Sequence, residues 1–562
     1  MPFCRHGHGG LCCRLYVCAY LSNPITQGGQ YCACIRSGYK KSHEPEEHSQ
    51  HNIMVLTMDD DLVYLCSALV VSVLAIAAVQ LLKPRPRLPP GPLNLPVIGS
   101  AHRLVNALPH RTMRELAGVY GPLMYLRVGH VPVVVVTSKE VAREILKTHD
   151  AIFATRPKLM SGDIVAYGST DLLFCPTPGD YFRKLRKLCV QEILSNDRIR
   201  SFQDVREDEV RSLVEDIRAA GPSAPLDLSR KIYKLTNGIV SRAAFGMKSS
   251  KAEDFVAAIK HSFVYSTGFS IPDLFPGFTG ILSFLTGMRR NLEGVRDTID
   301  GILEEIIDER EKILKSGRST ASEKNLVEVL LGLIGNEDFG FPITRSTVKA
   351  VVLDIFAGGT ETSGTSMEWA MSELMMNPKV MRKLQGEIRE AFRGKEFISE
   401  TDLRASGSCI KYLGLVIKET FRLHPPAPIL VPRESTEACE INGYVIPAKT
   451  RVIINSWAIM RDPQYWEDAE EFRPERFEGS RMDFHGGCFE YTPFGSGKRM
   501  CPGFNYGMAS MELTLVQLLH SFDWSLPEGV DRLDMTETVS LSLTRKTHLM
   551  LRAVPHAPPP SS

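Results

Sequence analysis

The residue best placed to do chemistry is Cys501, in the run Phe494-Gly-Ser-Gly-Lys-Arg-Met-Cys-Pro-Gly503. Its glycines allow a tight chain path, and a helical pattern begins just beyond the cysteine. Backbone N–H groups near a helix start stabilise a thiolate, the form in which cysteine acts as nucleophile or metal ligand. A lone cysteine beside glycine and proline is ordinarily structural, so the loop needs support from elsewhere. A second unusual stretch, Ala357-Gly-Gly-Thr-Glu-Thr-Ser363, lies inside the long helical segment 347–376. Two glycines and several hydroxyls in a helix interior cost stability and weaken its hydrogen-bond ladder. Read alone, this is either an ordinary packed helix with a soft spot or a helix opened for a purpose. Glu419 and Arg422 are three residues apart, hence on one helical face. Any surface ion pair would give the same spacing.

The elements that must position these groups read as mainly α with small β-sheets. Segments 123–128 and 131–136 are rich in β-branched and apolar residues and read as strands, whereas 138–147, 180–194, 201–219 and 293–315 are amphipathic at helical period. The 562 residues carry 66 Lys plus Arg against 65 Asp plus Glu, a net charge of +1 that gives no argument for a nucleic-acid partner. Six of the 13 cysteines precede residue 35 and the others are widely spaced, which suits a reducing compartment rather than a disulfide framework. The early cysteines, even with His6 and His8, lack the paired spacing of a zinc site. Residues 1–57 read as a dispensable or mis-assigned extension. Across 62–82 no charged residue interrupts an apolar run, which is long enough as a helix to cross a bilayer, so 58–83 is expected to be an uncleaved membrane anchor. Acidic residues before it, with Lys83, Arg85 and Arg87 after it, orient the downstream chain towards the cytosol. A proline-rich hinge at 84–99, a catalytic domain at 100–556 and a short tail at 557–562 complete the expected organisation. The connector from Ile271 to Leu285 is unusually apolar and reads equally as a lipid contact or as core packing.

At Phe494, Gly497, Arg499, Cys501 and Gly503 the cysteine run resembles the haem-binding loop of the cytochromes P450, matching five fixed positions in ten. The resemblance extends from about residue 58 to the C-terminus. It implies the cytochrome P450 fold behind a single N-terminal transmembrane helix, with haem b bound through Cys501 as the axial ligand of iron. It also implies that Glu419, Arg422 and the Arg476 of Pro474-Glu-Arg-Phe477 form a buried network holding the cysteine loop. In the helical segment, Gly358 and Gly359 are implied to leave room for dioxygen, while Thr362 and Glu361 are implied to deliver protons. Arg186, Arg433 and Arg499 are the implied partners of the haem propionates. Phe182 departs from the family, which usually has Trp there; the substitution removes a ring N–H donor and predicts somewhat weaker haem retention.

The proline entry, Gly358-Gly-Thr-Glu-Thr362, Leu423-His-Pro-Pro426 and the cysteine loop together resemble plant A-type microsomal P450s of specialised metabolism. Family substrate contacts map onto the loop 160–171, Phe356, Ala357, Ile429, Leu430, Val539 and Ser540. These are mainly aliphatic walls that favour a lipophilic small molecule, with a sesquiterpenoid or diterpenoid as the leading substrate class. Ser540 stands where the family commonly has Gly. The resemblance implies O2 and NADPH-derived electrons as co-substrates, an NADPH-cytochrome P450 reductase steered by Arg183, Lys184, Lys187 and Lys498, and a place for cytochrome b5. It further implies a single-pass location in the endoplasmic reticulum membrane. Two rivals are a reductase-independent haem-thiolate isomerase or dehydratase and a non-enzymatic, membrane-tethered haem-binding protein. The Glu361-Thr362 pair argues against both.

Overall fold

The computed structural model describes residues 87–556 except 105–107, 223, 247–250, 317–323, 337, 408 and 540–541, together with Tyr64, Ser67, Ala68, Val71 and Ser72. The expected transmembrane helix is corrected: among the described residues, no helix is long and apolar enough to cross a membrane. Of the run 62–82, Tyr64, Ser67, Ala68, Val71 and Ser72 are described. The single-pass endoplasmic reticulum topology rested on that run and is withdrawn with it. The rest of the run, the extension 1–57 and the tail 557–562 lie outside the described residues.

Four strands make the largest sheet: β1 (Leu123–Val128), β2 (Val131–Val136), β3 (Arg433–Glu434) and β4 (Arg451–Ile454). Their order is β1-β2-β4-β3, with β2 and β4 parallel and the outer pairs antiparallel. The β1–β2 turn needs Gly129, which has φ +61° and would drive a Cβ to 2.7 Å from the Leu274 carbonyl oxygen. Val133, Val134, Val135 and Val136 of the inner strand β2 are all fully buried. Val134 and Val136 join one apolar cluster and Val133 and Val135 another, as the alternation of a strand requires.

Helices supply the rest of the body: α1 (Tyr181–Leu188), α2 (Gln203–Ala220), α3 (Leu228–Phe245), α4 (Lys251–Ser266), α5 (Thr279–Leu285), α6 (Met288–Lys315), α7 (Arg345–Gly359), α8 (Glu361–Met376), α9 (Lys411–Leu423) and α10 (Phe504–Ser521). The segment expected as one helix over 347–376 is two, divided at Thr360, which belongs to neither helix although its dihedrals stay right-handed (φ −88°, ψ −68°). Hydroxyls cover the carbonyls around this break: Thr360 Oγ1 donates to Phe356 O at 2.8 Å and Thr362 Oγ1 to Gly358 O at 2.5 Å. Such back-bonding competes with the regular ladder and marks where it opens. Beyond the break, α8 is buried almost all round, with Met367, Trp369, Ala370, Met371 and Leu374 inaccessible.

One ion network ties α9 to the loops that follow. Arg422 donates to both Glu419 oxygens (2.7 and 2.9 Å), and Arg476 Nε and the Arg473 N–H donate to Glu419 Oε1 at 2.9 and 2.8 Å. The remaining Arg422 donors reach the carbonyls of Met460, Ala469 and Glu471. Glu419 and Arg422 are both fully buried. Removing one member of a buried pair strands the other, at about 3–5 kcal/mol. Glu419→Gln is therefore expected to lower stability by about 3 kcal/mol or more, seen as a lower urea midpoint at unchanged slope.

Candidate active site

The cysteine loop is built by three constraints. Cys501 N–H donates to Phe494 O at 3.0 Å, closing the turn. Gly497 has φ +71°, and a Cβ there would lie 2.6 Å from Asp150 Oδ1, so only glycine fits. Asp150 in turn accepts from Lys498 N (2.8 Å) and Arg433 Nη1 (2.9 Å). Gly503 caps α10, and its N–H bonds the Cys501 sulfur. Burial pushes the Cys501 thiol up, while the Gly503 N–H and the positive charge of Arg186 pull it back towards thiolate.

Cys501 lines a cavity of about 320 Å³ shared with Phe494, Gly503, Ala357, Gly358, Gly359, Thr362, Leu430 and Val431. A Cβ on Gly358 would meet nothing within 4 Å, so the broken helix leaves open space there; on Gly359 it would press on Val240 at 3.1 Å. Four guanidiniums reach the same cavity: the expected Arg186, Arg433 and Arg499, and also Arg156. Arg156 donates to the carbonyls of Leu173, Val431 and Pro432, Arg186 to Met500 O, and Arg499 to Ala154 O and Leu172 O. Among the described residues, only Arg433 has a carboxylate partner, Asp150. Burial lowers Arg499 to about 10, and burial with the neighbouring Arg499 and Arg433 charges depresses Arg156 well below its ordinary value. The cluster therefore favours an incoming anion. Phe182 is buried beneath Arg499, whose guanidinium carbon is 3.8 Å from the ring centroid.

Other expected residues are placed differently. Phe356 does not line the cavity; it is fully buried against Phe245 and Phe255, at 4.7 and 4.8 Å between ring centroids. Ile429 packs on the cluster beside the large sheet. Val539 lies in the strand Glu537–Val539, and Ser540 is outside the described residues; the nearby cavity-lining residue is Ser542. Glu361 is buried one residue from Thr362. Arg156 was missed because a single Arg before Pro carries no spacing signal. An acid pair was missed too: Asp171 and Asp354 are hydrogen-bonded to each other, and they accept from Phe174 N at 3.0 Å and Leu172 N at 2.5 Å. Burial pushes Asp171 up to about 7, and burial with the Asp171 charge holds Asp354 well above the carboxylate range. The pair therefore keeps a proton at neutrality and ties the loop after Thr170 to α7.

The whole catalytic body, residues 89–552, matches the cytochrome P450 family model. This chain is a cytochrome P450. It is 47% identical over 476 residues to premnaspirodiene oxygenase of Hyoscyamus muticus, covering 84% of this chain and 93% of that relative. It is 45% identical over 477 residues to 5-epiaristolochene 1,3-dihydroxylase of Nicotiana tabacum (84% and 94% covered) and 44% over 459 residues to germacrene A hydroxylase of Barnadesia spinosa (81% and 90%). A zebra fish cytochrome P450 solved with progesterone shares the fold at a TM-score of 0.68 and 24% identity, covering 80% of this chain and 100% of that one. The protein is thus a haem-thiolate monooxygenase of the plant A-type, specialised-metabolism group, using haem b, dioxygen and NADPH-derived electrons.

The donor set of this P450 fits that haem: the half-buried Cys501 thiol, apolar walls and clustered guanidiniums short of anions. Replacing Arg156 by Leu is expected to speed haem transfer to excess apomyoglobin about tenfold, since a charged hydrogen bond contributes about 1.5 kcal/mol or more. The acid pair sets a pH dependence. Asp171 binds its proton more tightly folded than unfolded, so its contribution to stability is greatest below the unfolded value and declines as pH rises towards about 7. Asp171→Asn removes that slope, so melting temperatures of parent and variant, compared from about pH 5 to about pH 8, should diverge in the variant's favour as pH rises.

Proposed function

We propose that this P450 hydroxylates a sesquiterpenoid, with electrons delivered by an NADPH-cytochrome P450 reductase. The observation that carries the reading is an apolar cavity in which the cysteine loop meets the opened helix at Gly358. Relatives named for sesquiterpene oxidation at 44–47% identity support the substrate class. Haem, when bound, supplies dioxygen activation. Cys501 would hold its iron, and Arg156, Arg186, Arg433 and Arg499 its propionates. Leu172, Leu173, Ile355, Ala357 and Leu430 present hydrocarbon to the substrate and exclude water from it. Thr362, whose hydroxyl answers the Gly358 carbonyl across the break, and Glu361 beside it hold and pass the protons that the reaction consumes.

Electron delivery suits the basic rim near the cysteine loop. Arg183, Lys187 and Lys498 are exposed, whereas Lys184 is half-buried and donates to Gly340 O. The exposed cations would steer an acidic reductase, and cytochrome b5 would meet the same surface. Lipid contact is supported by a patch around α5. Ile271, Phe278, Ile281, Phe284 and Leu285 are exposed, Phe284 at 84%, while Leu274 and Phe275 anchor the same segment on the sheet cluster.

The direct test is mass spectrometry of products from the full chain, loaded with haem and supplied with reductase, on premnaspirodiene and germacrene A. An NADPH-dependent product heavier by one oxygen is expected. Haem-loaded protein that leaves both hydrocarbons unchanged would overturn the sesquiterpene reading. Thr362→Ala should cut product per NADPH by about a hundredfold or more, the lower side of a general acid's contribution.

A further inference from the structure

Apart from Glu361 at its inner end, a polar chain along α8 has no part in the roles above. Glu361, Gly364, Thr365 and Glu368 are spaced three and four residues apart, so helical geometry aligns them on one face. Tyr233 of α3 packs on that face. A Cβ on Gly364 would lie 2.7 and 2.8 Å from Cδ1 and Cε1 of Tyr233, so glycine leaves the space that the ring occupies. The Tyr233 hydroxyl shares a hydrogen bond with Thr365 Oγ1 at 2.9 Å and donates to Glu368 Oε2 at 3.3 Å. Ser229 Oγ donates to the other Glu368 oxygen and accepts from Leu549 N at 2.7 Å. Thr365 and Glu368 are buried, yet Tyr233 is only half-buried, and the exposed Lys260 places its ammonium 5.0 Å from the ring centroid. The chain therefore runs from the solvent boundary to the turn of α8 that carries Glu361. Burial, then the charge of Glu368 and, more weakly, that of Glu361, raise the Tyr233 phenol, so it stays protonated and able to donate.

We infer that Tyr233 is the outer proton relay of this P450, passing solvent protons through Thr365 to Glu361 when its hydroxyl turns from Glu368 to Thr365, with Ser229 holding the Glu368 carboxylate in place. The inference rests on the proposed role of Glu361 and Thr362 as the inner pair. Thr365 is one helical turn from Glu361, roughly 5–6 Å between Cβ atoms, within reach of a carboxylate directly or through one water. In transfer, each hydroxyl takes a proton on its oxygen and releases its own, ending unchanged. One turnover balances as RH + O2 + NADPH + H⁺ giving ROH + H2O + NADP⁺. When delivery to the inner pair is slow, the same NADPH, O2 and H⁺ leave as NADP⁺ and H2O2.

The bland alternative is a brace joining α3 to α8, and partitioning of electrons separates the two. Haem-loaded full chain with reductase, NADPH and premnaspirodiene as probe is assayed for NADPH oxidised, O2 consumed and H2O2 released, in H2O and D2O. These quantities report proton delivery even where the probe is not hydroxylated, because O2 reduced to water consumes twice the NADPH of O2 released as peroxide. Tyr233→Phe, which keeps the ring, is expected to raise peroxide per NADPH about threefold or more and to enlarge the solvent isotope effect on the peroxide-free pathway. Thr365→Val should do the same, and Thr362→Ala serves as the inner-pair control. An unchanged peroxide fraction and isotope effect in Tyr233→Phe, with a lower melting temperature alone, would make Tyr233 a brace and overturn the relay. If Thr362→Ala also leaves the partition unchanged, the inner-pair reading fails and the relay fails with it.

Discussion

A single carboxylate, Glu419, accepts from two guanidiniums and a backbone N–H in a place with no water. Ions so buried are tolerated only when every donor and lone pair is answered, and here Arg422 finds three further carbonyls. The position of the cysteine loop follows from that closure. On the same helix, the Phe421 ring meets Phe494 edge-on at 5.0 Å, and the Lys418 carbonyl accepts from Tyr491 Oη at 2.9 Å. Fixing α9 therefore fixes both the start of the Cys501 turn and the strand of chain leading into it. The network contributes placement more than net stability, because desolvating its charges offsets much of their attraction.

The cavity has the converse electrostatics. Three of its four guanidiniums are answered by carbonyls rather than carboxylates, which satisfies their hydrogen bonds and leaves their charge in excess. Charge left uncompensated in a low-dielectric space is a preorganised anion site. Asp171, which feels the charge of Arg499, is pushed up to about 7 by burial and shares its proton with Asp354. A fully ionised pair would neutralise the cluster; a protonated one ties the loop to α7 while leaving the guanidiniums for the propionates. Structure and affinity are thus separated by the protonation of one buried pair.

Residues joined by local geometry were legible before any coordinates. The cysteine turn is written in closely spaced positions because each answers a short-range demand: a positive φ at Gly497, a cap at Gly503, a turn closed by Phe494. Strands β1 and β2 declare themselves for the same reason, and Glu419 and Arg422 fall on one helical face by their spacing. The opened helix was legible as a cost, two glycines among hydroxyls, though not as a break centred on Thr360. The apolar run at 62–82 shows the limit of composition: it suggested a span, and no described helix meets the requirement for one.

Whatever depended on direction across the fold had to wait for tertiary structure. Phe356 and Ala357 are adjacent, yet one turns into the core and the other into the cavity, and helix rotation against α3 and α4 decides which. Arg156, Asp171 and Tyr233 meet partners 275, 183 and 132 residues away, through Val431, Asp354 and Thr365, and no spacing signals such pairs. By itself, the sequence determined the local chemistry: a cysteine turn, a weakened helix and an acid and a base on one helical face, each set by neighbours within a few turns of chain. Tertiary structure alone decided which cations gather, which acids share a proton and which hydroxyls connect, because burial and approach belong to the packed molecule.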